Sequence, residues 1–122
     1  MGPDGGADQG GEGVSRRVVA VVPDLMDRSR LSAPGCEVTH VAPGALAAAV
    51  ADPSAPVDLV VVDLSRPGVL DRVADLDVAV VGFAPHVDDA LLDQARAVGV
   101  EALPRSAFFR RWPALGPVGD TR

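Results

Sequence analysis

The stretch VDLVVVDLSRPG, residues 57–68, carries a run of apolar residues from Leu59 into a lone carboxylate, Asp63, with Pro67-Gly68 just beyond. An acid at the tip of so apolar a segment is either a working group or the anchor of a loop. Other polar residues stand at comparable places. Asp24 follows RVVAVVP, His86 lies within GFAPHVDD, and Arg105 follows VEALP. Asp63 can be a reactive carboxylate, cap its own loop, or pair with Arg105. Asp24 can ligate a metal or serve as the N-cap of a following helix. Arg105 can read an anion or neutralise Asp63. His86, with acids close behind it, can be a ligand or proton carrier, or an ordinary hydrogen-bonding loop residue.

Several other chemistries do not fit the pattern. His40, His86 and Cys36 are widely separated and lack metal-ligand spacing, so no metal site and no resident cofactor are expected. His40 reads as an edge residue of a strand. There is no GxSxG nucleophile motif. GxGxxG and Walker loops are missing as well, and the glycines of MGPDGGADQGGEG precede any strand.

The elements that must position these groups follow from periodicity. Apolar runs at 17–22, 37–42, 58–64, 77–84 and 100–104 have strand length. Helix-like segments at 24–33, 44–52, 69–76, 88–99 and 106–112 alternate with them. In the fourth of these, Asp88 and Asp89 suit the positive N-terminus, Gly99 ends the helix, and Ala90, Leu91, Ala95 and Val98 have helical spacing. Strands that are apolar throughout are buried on both faces, as in parallel sheets, whereas the second, alternating one suits an edge. The expected fold is therefore α/β, a five-stranded parallel sheet doubly wound by helices. Functional crevices in such sheets lie beyond the carboxyl ends of the strands. That places Asp24, Asp63, Phe83, His86 and Arg105 together.

Composition bounds the rest. The chain has 122 residues and a formal charge of −6, and all eleven basic residues are arginine. Its largest basic clusters are the pairs Arg16-Arg17 and Arg110-Arg111, so no nucleic-acid partner and no anionic membrane surface are expected. Lys, Tyr, Ile and Asn do not occur, a bias that suggests a GC-rich genome. One cysteine excludes an internal disulfide and suits a reducing cytoplasm. Neither a signal peptide nor a membrane-length apolar run is evident. Residues 1–13 are expected to form a disordered Gly-rich tail, 14–115 the folded domain, and 116–122 a flexible C-terminal tail.

GCEVTHVAPGALAAAVADPSAPVDLVVVDLSRPG resembles the middle of a bacterial response-regulator receiver domain, and AVGVEALPRSAF resembles the end of one. The likeness runs from about Arg16 to Leu115 and is most specific at Asp63-Leu64 followed by Pro67-Gly68. It implies a flavodoxin-like sheet in the order 2-1-3-4-5, with Asp63 at the position that accepts a phosphoryl group from a histidine kinase. The resemblance also marks departures. Receivers hold Mg²⁺ between that aspartate and a pair of acids after strand one, where this chain has Pro23-Asp24. A lysine after strand five is replaced by Arg105, and a Ser or Thr after strand four by Phe83. The stretch between Asp63 and Phe83 is shortened, which implies a short third helix; the first and last helices are short as well. The implied function is a stand-alone, degenerate receiver acting in two-component signalling through a protein partner or homodimer, without Mg²⁺ unless Asp63 is phosphorylated. Alternatives are a phosphorylatable single-domain regulator and a small ligand-binding or enzymatic domain using the strand-end crevice.

The segment SAFFRRW holds three of the four aromatic residues, Phe108, Phe109 and Trp112. Phe108 and Trp112 share a helix face, and Phe109 is turned about 100° away. All three rings close the core, or at least one stays exposed and anchors a partner.

Overall fold

In a computed structural model, which describes residues 16–85, 87–112 and 114, parallel strands alternate with short helices. The expected tails at 1–13 and 116–122 lie outside the described residues. The strands are β1 (Arg16–Val21), β2 (Cys36–His40), β3 (Leu59–Asp63), β4 (Val80–Ala84) and β5 (Glu101–Pro104). The helices are α1 (Leu25–Arg30), α2 (Leu46–Ala51), α3 (Val69–Val73), α4 (Asp89–Ala97) and α5 (Arg105–Arg111). A 3₁₀ turn, Pro43–Ala45, leads into α2. The sheet runs β2-β1-β3-β4-β5, every neighbouring pair parallel, so the order is the flavodoxin-like 2-1-3-4-5 that the resemblance implied.

The uninterrupted apolar strands make sense once both sheet faces are seen to be covered. Side chains alternate between faces along a strand. Val19, Val21, Val60 and Val62 pack beneath Leu46 of α2, Val69 and Val73 of α3, and Leu92 and Ala95 of α4. Val18, Ala20, Leu59, Val61 and Phe83 pack on the opposite face, under Leu31 at the end of α1 and Phe108 and Trp112 of the α5 segment. β2 has half-buried and exposed positions in alternation, as an edge strand should.

The sequence-based boundaries shift in places for local reasons. α1 is shorter than 24–33, because Leu31 leaves the helix as its C-cap and inserts fully into the core. α5 begins at Arg105 itself, immediately after β5, so Arg105 is a first-turn helical residue. α4 presents Leu92 and Ala95 to the core, while Ala90 and Val98 are exposed and Leu91 is half-buried. Its buried stripe is thus rotated from the set read by spacing alone. In β4, Gly82 has no room for a side chain: a Cβ there would meet Leu64 Cγ at 2.6 Å. Leu64 is itself 2% exposed, so it closes over the sheet directly after Asp63.

Candidate functional site: a crevice at the carboxyl ends of the strands

Asp24, Asp27, Asp63, Phe83 and Arg105 meet in a crevice of about 320 Å³, with Arg66 on its wall. Four strand ends deliver them. Asp24 follows β1 and caps α1, its Oδ1 accepting from the backbone N–H of Met26 at 2.8 Å and of Asp27 at 3.1 Å. Asp63 is the last residue of β3, aligned with Phe83 of β4. Arg105 follows β5. His86 lies outside the described residues.

The crevice has one dominant electrostatic feature, which the sequence reading missed. Asp27, in the first turn of α1, is the only buried charged residue among those described, at 3% exposure. Arg105 reaches it from α5 with two donors. Nε donates to Asp27 Oδ2 at 3.3 Å, and Nη2 makes a close hydrogen bond to Oδ1. This is a bidentate fork, the geometry in which a guanidinium neutralises a carboxylate best. It raises the pKa of Arg105 above its ordinary value, chiefly through the hydrogen bond to Asp27 and against a smaller effect of burial; the charges of Asp27, Asp24 and Asp63 add to the rise.

The direct Asp63–Arg105 pair weighed from the sequence is therefore not what forms. Asp63 is held by its own loop. Its Oδ1 accepts from the Ser65 hydroxyl at 2.6 Å and the Ser65 backbone N–H at 3.0 Å, and its Oδ2 lies 4.0 Å from Arg66 Nε. Ser65 and Arg66 turn Asp63 into a loop anchor, as Asp-initiated turns commonly do. One hint of Asp27 was in the sequence: it lies four residues before Leu31, so on a helix the two share a face. An acid on the face that ends in a core leucine needs a cation.

Phe83 is 1% exposed and packs against Phe108 and Phe109, with ring centroids 4.9 and 5.4 Å apart. It forms the apolar floor of the crevice and has no group to hydrogen-bond an anion. Two of the three candidate surface anchors, Phe108 and Trp112, need correction. Phe108 is fully buried and Trp112 is 9% exposed, its Nε1 donating to Leu31 O at 3.1 Å. Phe109 is half-buried, with the Arg30 guanidinium 4.0 Å from its centroid. The short helix covers its rings because α1 and α5 lean on the same sheet face and α1 supplies Leu31 and Arg30 as lids. The exposed large apolar residues among those described are elsewhere: Leu25 (76%), Met26 (75%), Val87 (78%) and Val98 (43%).

Among the described residues, no group of three or more His, Cys, Asp or Glu side chains is arranged to hold a metal ion. Asp24 spends one carboxylate oxygen on the cap and Asp27 spends both on Arg105. No described helix is long and apolar enough to cross a membrane. Fold and crevice together define a small flavodoxin-like α/β domain with an acidic and guanidinium-lined strand-end cleft. No family model, curated protein or solved structure gives a significant match to the chain.

Proposed function

We propose that this chain is a degenerate receiver, a domain that keeps the receiver architecture and signals through protein–protein contact without phosphoryl transfer. The observation that carries this reading is the Arg105–Asp27 fork. In a receiver, the cation after strand five answers a phosphoryl group on the strand-three aspartate. Here the corresponding guanidinium is engaged by an internal carboxylate on α1, so its charge is already neutralised without a phosphoryl group. A carboxylate attacking phosphorus also needs its own charge and that of the transferring group neutralised. Phe83 offers no hydrogen bond there, and Asp63 Oδ1 is occupied by Ser65. A fork that holds the cleft in one state would leave phosphate no second state to select. Exposed Leu25 and Met26 directly follow the cleft residue Asp24, and exposed Val87 lies in the β4–α4 loop that starts at the cleft residue Pro85, so apolar side chains neighbour the cleft residues in the chain. They suit a protein contact there better than the buried rings of α5 do.

A specific observation keeps a second reading open: Asp63 Oδ2 has no closer partner among the described residues than Arg66 at 4.0 Å, which leaves an oxygen available to a phosphoryl donor. Intact-mass measurement after treatment with acetyl phosphate and Mg²⁺ separates the two. The degenerate receiver stays unmodified. A Mg²⁺-dependent gain of one phosphoryl group, lost in Asp63→Asn, overturns it in favour of a phosphorylatable regulator.

A further inference from the structure

A separate cavity of about 390 Å³ opens on the other side of the β3–α3 loop, between the ends of β1 and β2. Its volume falls within the range of small-molecule sites. Val22, Val41, Pro43 and Pro67 give it an apolar wall. Three polar side chains line it: Arg28, His40 and Arg66. Their charges are unbalanced. Arg28 fixes itself by donating from Nε to Val22 O at 2.6 Å, and no described carboxylate lies within ion-pair distance of it. Arg66 has only the 4.0 Å approach to Asp63 and is 45% exposed. His40 Nδ1 is buried with no hydrogen-bond partner among the described residues. Burial, and then the charge of Arg28, lowers the pKa of His40, so at neutral pH its ring is an uncharged donor or acceptor.

From these features we infer that the cavity binds a small organic anion, a carboxylate or phosphate head on an apolar body. Arg28 and Arg66 face the charged head, and the Val and Pro wall, with the uncharged His40 ring beside it, takes the body. No acid lines the cavity, which separates it from the strand-end crevice with its three aspartates. The two share one residue, Arg66, which lines both. An anion that draws Arg66 into the cavity takes it from Asp63, and by reciprocity removing the Asp63 charge strengthens anion binding. The inference does not rest on the receiver reading: it needs only the cavity and its three polar side chains.

Amide and imidazole NMR shifts test it, with phenyl phosphate as probe, inorganic phosphate as the head alone and benzyl alcohol as a neutral body. Phenyl phosphate is expected to give saturable shifts at Val22, Val41 and the His40 ring, at least about tenfold tighter than either half-probe, since head and body are linked in one ligand. Arg66→Gln, at a half-exposed site, is expected to weaken it by about tenfold through loss of a charge-assisted contact. Asp63→Asn is expected to tighten it by about two- to fivefold, and Arg111→Gln, outside the cavity, to change nothing. No saturation by about 10 mM, tenfold weaker than a millimolar site, overturns the inference. So does equal binding of benzyl alcohol, an Arg66→Gln affinity equal to that of the parent, or shifts confined to Asp63, Ser65 and Arg105. An unchanged affinity in Asp63→Asn overturns the sharing of Arg66.

Discussion

Removing Arg105 is the most informative single perturbation of this molecule. Asp27 is 3% exposed, and its carboxylate has both oxygens on the Arg105 fork. Breaking a buried ion pair by deleting one partner costs roughly 3–5 kcal/mol, because the survivor is left charged and poorly solvated. That figure is too high here. The Arg105 side chain is 45% exposed, so its truncation admits water to Asp27, and exposed pairs contribute little. A value of about 2 kcal/mol for Arg105→Ala lies between the buried and exposed limits. For a domain of this size it corresponds to a melting temperature lower by about 8–16 °C. Urea unfolding followed by Trp112 emission is the direct assay, since Trp112 is buried and bonded to Leu31 at the end of α1. Arg105→Lys should recover about half of the loss, because a single ammonium cannot reproduce the fork. Asp27→Ala combined with Arg105→Ala should cost less than the two single changes together, by about 1–2 kcal/mol. A loss below about 0.5 kcal/mol for Arg105→Ala, or additivity in the Asp27–Arg105 cycle, would refute the argument that this pair holds α1 to α5.

The same cycle applied to Asp63 and Arg105 should be additive within about 0.5 kcal/mol, since Asp63 bonds to Ser65 and not to Arg105; a larger coupling energy would mean that the two side chains meet in solution. Gly82→Ala should cost about 1–3 kcal/mol, because its Cβ would overlap the buried Leu64 side chain, and chemical denaturation showing parental stability would contradict that packing. Because burial lowers the pKa of His40, the unfolded chain binds the proton first; its contribution is complete above pH of about 6.5 and is lost as pH falls from there through the folded-state pKa. His40→Gln should flatten that part of the stability–pH curve, and an unchanged slope would assign it to other groups. Leu25→Ser with Met26→Ser should alter stability by no more than about 0.5 kcal/mol, since both side chains are more than 70% exposed; a large drop in melting temperature would show that they are buried in solution.

The sequence by itself determined the sheet. Val18–Val22, Leu59–Val62 and Val80–Ala84 are apolar at every buried position but Gly82, and segments that can satisfy neither face with water must lie in the middle of a covered parallel sheet. Once strands and helices alternate, right-handed crossovers leave few orders, and the crevice falls at the strand ends, where Asp24, Asp63, Phe83 and Arg105 indeed converge. Local chemistry was equally legible at Asp24, whose side chain reaches only two and three residues ahead. What the sequence left open is who pairs with whom across the sheet. Asp27 and Arg105 are 78 positions apart, and Asp63 lies between them as an equally charged candidate. The choice depends on how α1 and α5, each under two turns long, are rotated about their own axes on a common sheet face. So short a helix has too few apolar positions for periodicity to fix that rotation. It is set by Leu31, Phe108 and Trp112 packing together, and that packing both turns Asp27 toward Arg105 and buries two of the three rings that the sequence left as possible surface anchors.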